Sequence, residues 1–536
     1  MARSTLRASF VVSLAVMASR VLGVVRESMF AALFGAGVIS DAYAVAFRIP
    51  NLMRDLFAEG ALSAAFVPTF TKTLETEGKQ RAFQLGNLVV TALCLVTGLI
   101  TVAAIVFAEP LVLLISGGFK GDHGKLALTS QLSQIMMPVL TLVSVSAAWM
   151  GMLNAQNRFA APAVAPALFN VVSIAGGFAL LALGLPALQA IVWFAVVTLL
   201  SGAVQAFCQL PSLWAGGFRP RFALGGLWRD QGVRRIVRLM GPAVIGGAAV
   251  QLNIFLNTRF AANLGHGPQT YLTYAFRLFY LPVGLFGVAL ATVTATRVSQ
   301  AAAQNDRAAL LARTGESLRG VWMLGTASTV GLVVLAEPIV TLLFERGQFS
   351  HVATLNTARV LQAFILGVLP YSMMKNLVPA FYAIDRPRLP MFASMAAVIA
   401  NVVFNALTYR YLKTPGLALG TTLGASVNYL ILRLSYTKLV GSPGTPDWPK
   451  LAARLLLGNL VLGLIAFGLH ALGLQLARRA GFSVGPTGKG FAGTIVLLAT
   501  ILVSFGLYTG LLKRLGYPGA EELAGLPTKL IRRFRR

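Results

Sequence analysis

The stretch SRVLGVVRESMFAALFGAG, residues 19–37, is apolar enough to form a membrane helix but carries Arg20, Arg26 and Glu27. A helix of about 20 apolar residues crosses the roughly 30 Å of hydrocarbon in a bilayer. A charged side chain at the centre of such a helix costs about 2.5–3.5 kcal/mol, so it generally faces water or a partner. The stretch therefore predicts a membrane helix that turns its charged side toward the interior of a helix bundle.

Apolar runs of this length recur along the whole chain. Of its 536 residues, 56% are hydrophobic and 12% are charged, about half the charged share of a soluble protein. Arg3 and Arg7 precede an apolar run that continues into further spans, which predicts an uncleaved first helix rather than a signal peptide. The sequence predicts an all-α polytopic membrane protein with fourteen transmembrane helices, near residues 9–34, 40–70, 87–115, 129–155, 163–184, 188–211, 239–262, 270–296, 320–344, 357–381, 391–409, 416–432, 455–476 and 491–512.

The positive charge follows this topology. The formal net charge is +28, but with the N-terminus inside, 29 of the 45 Lys and Arg residues fall in cytoplasmic segments, eight in external segments and eight within spans. This asymmetry predicts that both termini are cytoplasmic, and it argues against nucleic acid as a partner. We interpret the basic tail KLIRRFRR, residues 529–536, as an orientation signal and a site for anionic lipid.

Four sequence matches in the same order indicate an internal duplication. FAALFGAG (30–37) recurs as FAANLGHG (260–267), AFR (46–48) as AFR (275–277), AEPLVLLISGGF (108–119) as AEPIVTLLFERGQF (336–349), and Arg158 with Pro162 as Arg386 with Pro390. The second member of each pair follows the first at nearly the same offset along the chain. Because each copy holds six predicted spans, both copies have the same orientation. The sequence therefore predicts two parallel six-helix repeats that form two lobes around a central cavity, plus two C-terminal helices.

The predicted domain boundaries follow from this repeat. Residues 1–211 are the N-terminal lobe with helices 1–6, and residues 212–238 are a cytoplasmic linker whose basic later part is an amphipathic surface helix. Residues 239–440 are the C-terminal lobe with helices 7–12. Residues 441–536 contain helices 13 and 14 and the basic tail.

The sequence lacks the patterns of an enzyme or a metalloprotein. Cys94 and Cys208 lie in separate apolar runs, and the four histidines show no ligand spacing. The sequence contains no P-loop and no Ser/His/Asp set, so we expect neither catalysis nor a resident cofactor. Gly416, Gly420 and Gly424 recur at every fourth position, which predicts close helix packing.

Eight basic residues fall within the predicted spans. They are Arg20, Arg26, Arg48, Arg54, Arg259, Arg277, Arg359 and Lys375. If all eight faced lipid, the cost would be on the order of 20 kcal/mol, which exceeds the net stability of most proteins. Side chains near the span ends reach the membrane surface, as we expect for Arg54, Arg259 and Arg359. The central ones need water or a partner.

Acidic residues on the first two spans supply candidate partners. Asp41, Arg48, Asp55 and Glu59 are spaced to share one stripe of helix 2, and Arg20 and Glu27 are seven positions apart on helix 1. Two interpretations stay open. The charges form buried ion pairs that fix helix packing, or, because basic groups outnumber acidic ones, they line a wet cavity that binds an anion.

The chain contains several longer motifs, namely SRVLGVVRE (19–27), FGAG (34–37), SDAYAVAFRIPNLMRDLFAEGALSAAFVP (40–68), GMLNAQNRFAAPAVAPALFN (151–170), YAFRLFYLPVGLFGVAL (274–290), LFERGQF (343–349) and LVPAFYAIDRP (377–387). Together these motifs resemble one known family, the MurJ (MviN) lipid II flippases of the MOP transporter superfamily. The resemblance implies that the substrate is lipid II, the undecaprenyl-diphosphate-linked disaccharide-pentapeptide precursor of peptidoglycan. It further implies alternating-access movement from the cytoplasmic to the periplasmic leaflet of the bacterial inner membrane, with membrane lipids and peptidoglycan-synthesis proteins as candidate partners.

The resemblance also implies a set of cavity residues. By motif these are Arg20, Arg26, Arg54 and Arg277, with Asp41, Arg48 and Glu59 in the same motif. Guanidinium forks match the paired oxyanions of a diphosphate and stay charged. Many relatives have an Asp before the arginine of helix 8, where this chain has Phe276.

Some relatives bind sodium between helices 7, 11 and 12. The matching positions here are Asn253, Asn401, Asn405, Leu417 and Thr421. None of them is a carboxylate, and a cation held by neutral oxygens alone binds more weakly. Na⁺ as a coupling ion at this site is one interpretation, and hydrogen bonds between helices by the same side chains are the other. We favour the membrane potential as the driving force, because an inside-negative potential moves an anion outward.

Three rival functions make different demands on the sequence. A drug exporter of the same superfamily would place acidic residues in its cavity to attract cations, and an exporter of other lipid-linked oligosaccharides is the nearer alternative. A membrane glycosyltransferase would need a carboxylate or metal constellation near an interface, which the sequence lacks. A non-transporting scaffold for cell-wall synthesis stays open.

Overall fold

The structure, a computed structural model, describes residues 2–55, 62–443, 447–485 and 488–525, and all regular structure in these ranges is helical. The predicted all-α class is therefore confirmed. Nine helices in the described ranges are long and apolar enough to cross a membrane, and one bent pair brings the number to ten. The predicted count of fourteen is consistent with these helices and stays a prediction.

The chain divides into two compact units. The first is Met1–Thr270 with Arg346–Ser350, and the second is Tyr271–Glu345 with His351–Arg536. The segment Arg346–Ser350 packs with the first unit, where the Gln348 N–H donates to the Ala32 carbonyl at 2.9 Å.

The helices alternate with short turns. Those up to Thr270 are α1 (Ala2–Phe34), α2 (Val38–Arg54), α3 (Ser63–Thr76), α4 (Lys79–Val106), α5 (Ala108–Ile115), α6 (His123–Met136), α7 (Val139–Ala155), α8 (Ala160–Ala182), α9 (Ala187–Phe207), α10 (Leu210–Ala215), α11 (Gln231–Ala262) and the start of α12 (Pro268–Pro282). Then follow α13 (Val288–Ala303), α14 (Arg307–Val334), α15 (Ala336–Phe344), α16 (His351–Ile365), α17 (Val368–Ala383), α18 (Arg388–Leu439), α19 (Trp448–Arg479), α20 (Phe491–Arg514) and α21 (Ala520–Ala524).

The internal repeat is visible in the helix boundaries. Helix α14 begins and ends at one constant offset from α4, and α15 and α16 begin at that same offset from α5 and α6. Asn157 and Asp385, which are related by the same offset, both have positive φ, at 59° and 55°. The residue that follows closes the same turn in each copy: the N–H of Arg158 donates to the Leu153 carbonyl, and the N–H of Arg386 donates to the Phe381 carbonyl. Sequence matches at this offset therefore correspond to matching local structure.

The linker differs from its prediction in one respect. The sequence predicted an amphipathic surface helix followed by a separate span, but both belong to the single helix α11. Val233 and Ile236 are buried in the apolar core of the first unit, while Arg234 and Arg235 are exposed. The predicted amphipathic pattern is therefore present, but its apolar side packs on the core of the first unit, and the helix continues into the predicted span without a break. Consequently α11 lies in the first unit, whereas the sequence placed it in the second lobe.

Helix α18 is two helices joined by a tight turn at Lys413, whose φ is 50°. The predicted spans 391–409 and 416–432 occupy its two halves. An added methyl at Gly420 would overlap Asn405 Oδ1, and one at Gly424 would lie 2.9 Å from the Ala397 carbonyl. The predicted glycine packing is confirmed, because these glycines let the two halves approach closely.

One π-helical turn interrupts the eighth predicted span. It covers Val283–Gly287 between α12 and α13. The buried Asn376 of α17 donates to the Gly287 carbonyl at 3.1 Å and accepts from Ser317 Oγ at 2.7 Å. A π turn disturbs the helical hydrogen-bond ladder, and here a side-chain amide satisfies one of the affected carbonyls.

The turn after α15, within LFERGQF, is held by a buried carboxylate. Glu345 accepts hydrogen bonds from Thr341 at 3.2 Å and from His351 at 3.1 Å. Burial raises the pKa of the Glu345 carboxyl, but hydrogen bonds from His351, Thr354 and Thr341 and the charge of His351 outweigh it. The pKa therefore lies below its ordinary value of 4.5.

Candidate functional site

Arg26 lies within α1 with only 15% of its side chain exposed. Its Nη2 donates to Glu27 Oε1 at 2.6 Å, and its guanidinium carbon is 5.5 Å from the centre of the Phe169 ring on α8. Arg20, six positions earlier on the same helix, is exposed. The seven-residue spacing made Arg20 a candidate partner of Glu27, whereas in the structure Glu27 pairs with its immediate neighbour Arg26, because a long guanidinium side chain can reach the adjacent carboxylate.

Close packing of α8 fixes the position of α1. Asn170 donates from Nδ2 to the Ser19 carbonyl at 3.0 Å. Gly177 lies directly against Met29, so that a methyl group there would overlap the methionine side chain. The side of α1 that carries Ser19 and Met29 is therefore anchored on α8.

Two further predicted arginines lie on α2. Arg54 donates from Nε and Nη2 to Asp55 Oδ1, at 3.1 and 2.7 Å, and both side chains are about one-third exposed. Arg48 is half-buried. Glu59, the last member of the predicted stripe, lies outside the described residues. The members of the stripe therefore differ in exposure: Asp41 is completely buried, whereas Arg54 and Asp55 are partly exposed.

Asp41 accepts its hydrogen bonds from groups of the first unit. Its Oδ1 accepts from the backbone N–H of Thr270 at 3.0 Å and from the Thr270 hydroxyl at 2.8 Å. Its Oδ2 accepts from the Gly267 N–H at 2.7 Å and from Lys125 Nζ at 3.2 Å. A carboxylate at the N-terminus of a helix satisfies unpaired N–H groups and favours the helix dipole. Asp41 thus caps α12 from a different helix, and in this conformation it is enclosed by protein groups.

Lys125 is the residue of this network that sequence reasoning missed. Its side chain is 2% exposed, and its Nζ lies 4.2 Å from the centre of the Phe119 ring. The sequence assigned it to an external segment, because it lies between predicted spans. Its partner is 84 residues away, and such a pairing leaves no local pattern in a single sequence.

The second unit carries Arg277 and Lys375. Arg277 is exposed on α12, next to the exposed Phe276. Lys375 is half-buried on α17, with its Nζ 5.3 Å from the centre of the Tyr371 ring. The predicted arginines are therefore divided between the two units.

Four of the five predicted sodium-site residues come together in α18. Asn405 donates to Asn401 Oδ1 at 3.2 Å, Asn401 donates to Thr421 at 3.3 Å, and Thr421 donates to the Leu417 carbonyl at 3.3 Å. The Asn401–Thr421 bond joins the two halves of α18, which favours the interpretation as a link between helices, and three of the oxygens that a cation would need already accept hydrogen bonds. Asn253 lies on α11 in the first unit.

Comparison with protein families gives one extensive match. The family described as "Lipid II flippase MurJ" matches residues 30–480. A "Lipid II flippase MurJ" of Burkholderia cenocepacia is 32% identical over 454 residues, which cover 84% of this chain and 87% of that protein. A "Probable lipid II flippase MurJ" of Buchnera aphidicola is 31% identical over 78% of this chain and 81% of its own.

Solved structures show the same fold. A lipid II flippase MurJ in an inward closed conformation matches with a TM-score of 0.75 and 24% identity, over 94% of this chain and 99% of that chain. An inward-facing multidrug resistance MATE transporter of the MOP superfamily matches with a TM-score of 0.63 and 16% identity, over 79% and 94%. The chain therefore shares its helical fold with these two transporters.

Proposed function

The chain belongs to the MurJ family of lipid II flippases, and we propose that it moves lipid II between membrane leaflets by alternating access, with arginines of α1, α2 and α12 binding the diphosphate. The substrate is a polyprenyl chain joined through a diphosphate to a disaccharide and a peptide. Transport of such a molecule needs an anion site within the membrane and no covalent step.

The observation that carries the proposal is the environment of Arg26. An arginine within an apolar helix is oriented here by a neighbouring carboxylate and an aromatic ring. A guanidinium has five N–H donors in a planar fork, so it can hold a carboxylate on one edge and a phosphate on another. Pairing with Glu27 is therefore compatible with binding an anionic substrate.

The test is transport by Arg26 variants in proteoliposomes that contain labelled lipid II. We expect Arg26→Ala to abolish flipping while folded protein remains in the membrane. The Arg26→Lys protein should recover little of the flipping activity, because lysine keeps the charge but lacks the paired N–H donors of the guanidinium. Arg259→Ala is the matched control: Arg259 donates to the Leu113 and Leu114 carbonyls at the end of α5, so its loss should affect stability and leave flipping per folded molecule unchanged.

The ion-pair interpretation predicts a different result. If Arg26 only balances Glu27, Arg26→Ala should lower abundance and thermal stability, because it leaves a half-buried carboxylate unpaired. Adding Glu27→Gln should then restore both. Normal flipping in the folded Arg26→Ala protein would refute the anion-site proposal.

We propose the membrane potential as the driving force. A charge that crosses the full field gains roughly 2.3 kcal/mol per 100 mV, and three oxygens of the α18 cluster, those of Asn401, Thr421 and the Leu417 carbonyl, already accept hydrogen bonds. Flipping should therefore respond to an imposed potential in sodium-free buffer. Dependence on sodium at zero potential, without a response to potential, would contradict this.

The proposed orientation has both termini in the cytoplasm, on the basis of the Lys and Arg distribution. Cysteines introduced at the exposed Arg234 and in the C-terminal tail should react only with reagents on the cytoplasmic side. External labelling of either would overturn this topology.

A further inference from the structure

A cluster of aromatic side chains adjoins Arg277 in the second unit. Phe276, Phe279 and Tyr280 come from α12, and Tyr371 comes from α17. The ring centres of Phe276 and Tyr280 are 6.0 Å apart with an interplanar angle of 27°. Phe279 lies 5.5 Å from Phe276 and 5.8 Å from Tyr371, and Tyr371 lies 6.4 Å from Tyr280.

The rings divide into a buried base and an open surface. Phe279 is 1% exposed, whereas Phe276 and Tyr280 are 40% and 37% exposed. Residues four positions apart on a helix are neighbours, so the two exposed rings lie side by side. Contacts with the buried base hold both in place. The result is an aromatic platform, defined by Phe276 and Tyr280.

The position of Arg277 shows which way the platform faces. At 3.6 residues per turn, Tyr280 lies between Phe276 and Arg277 around the helix. Because an arginine within a membrane span is costly to expose to lipid, we place this side of α12 toward the interior of the helix bundle or a water-filled cavity. Lys375, half-buried beside Tyr371, adds a second cation near the platform.

We propose that the platform binds a pyranose ring, so that, given the proposed function, it holds the disaccharide of the lipid-linked substrate. A pyranose has an apolar C–H face that packs on an aromatic ring and a rim of hydroxyl and acetamido groups that need polar partners. Phe276 and Tyr280 supply the apolar surface, while the Tyr280 hydroxyl, Arg277 and Lys375 supply polar groups at its edge.

The surrounding charges favour a sugar over the other ligands that aromatic rings attract. Organic cations bind to aromatic faces, but Arg277 and Lys375 would repel them. An acyl chain gains nothing from the polar groups at the rim. A sugar uses both the apolar face and the polar edge, and the anionic groups of the same substrate are compatible with the two cations.

The experiment compares ligands with and without the sugar. Tyr280→Leu and Phe276→Leu keep apolar bulk but remove the ring, and Tyr382→Leu, at a 60% exposed tyrosine of α17 outside the cluster, is the matched control. Affinities are measured by titration of the purified full-length protein with lipid II and with undecaprenyl diphosphate. We expect each platform variant to weaken lipid II binding by roughly three- to tenfold, with undecaprenyl diphosphate binding unchanged.

The outcomes separate this inference from the proposed function. Equal loss for both ligands, or unchanged lipid II affinity in both platform variants, overturns the sugar platform even if the protein is a flippase. Titration with the free GlcNAc–MurNAc disaccharide gives an independent readout. If the wild type binds it, and Tyr280→Leu does not, while flipping of lipid II is absent, the platform stands and the flippase proposal fails.

Discussion

Replacing Lys125 would show how strongly the buried Asp41 network stabilises the first unit. Lys125→Met keeps the length and apolar character of the side chain but removes the charge that lies 3.2 Å from Asp41 Oδ2. Removing one partner of a buried ion pair typically costs about 3–5 kcal/mol. Asp41 would retain its three hydrogen bonds from Gly267 and Thr270, so we expect a loss near the lower end of that range.

The double variant gives the coupling energy. Asp41→Asn alone leaves the Lys125 ammonium buried without its counter-charge, and it should cost a similar amount. In the Lys125→Met/Asp41→Asn protein neither charge is present, so the combined loss should fall short of the sum by about 2–3 kcal/mol. The free energy of unfolding is measured by denaturant titration of the four purified proteins in one detergent. Additivity within about 0.5 kcal/mol would refute the ion pair as a stabilising unit.

The same variants test the role of Asp41 in transport. The family motif placed it with the substrate-binding residues, whereas the structure surrounds it with protein donors. If Asp41 acts by positioning α12, flipping per folded molecule should recover partly in the double variant, in parallel with stability. Full stability without flipping in Asp41→Asn would instead indicate direct contact with the substrate in another conformation.

Three further substitutions test local features. Gly420→Ala should cost about 1–3 kcal/mol in unfolding free energy, because the methyl meets an asparagine side chain across the α18 turn. Gly468→Ala, which meets nothing within 4 Å, should cost nothing. Asn376→Leu should lose about 1–3 kcal/mol, because the carbonyl of the π turn loses its donor; an unchanged unfolding midpoint would contradict this. Glu345→Gln should lower the melting temperature at neutral pH. The difference in melting temperature between the wild type and this variant should be fully present above the ordinary pKa of 4.5, and it should disappear as the pH falls through the lower pKa of Glu345 in the folded protein. A difference that persists in acid would contradict a stabilising role of the carboxylate.

The fold was predictable from the sequence because the duplication repeats the same order of helices in both halves of a membrane protein. Apolar runs mark the helices, and matches at one offset mark the repeat, which the boundaries of α4 and α14 reproduce. The glycine spacing in α18 was equally informative, because close helix approach requires small residues at one face.

The side-chain partners were less predictable, because a single sequence shows only local spacing. Periodicity made Arg20 a candidate partner of Glu27 and Arg48 a candidate partner of Asp41. The structure instead pairs Glu27 with its neighbour and Asp41 with Lys125. Contacts between distant segments depend on how helices pack, and helical spacing carries no information about them. The aromatic platform was missed for a related reason, since its base includes a ring from a different helix.

Two arginine pairs within the predicted spans share a geometry that bears on how the chain tolerates positive charge in the membrane. Arg26 pairs with Glu27, and Arg54 pairs with Asp55, in each case with the next residue along the helix. A carboxylate attached to the adjacent backbone moves together with the arginine when the helix shifts as a rigid body, so such a shift does not separate the pair. An anionic substrate then binds to the remaining edges of the guanidinium without leaving a distant carboxylate buried and unpaired. On the proposed function, this arrangement lets the arginines bind and release a diphosphate during alternating access at little cost in stability.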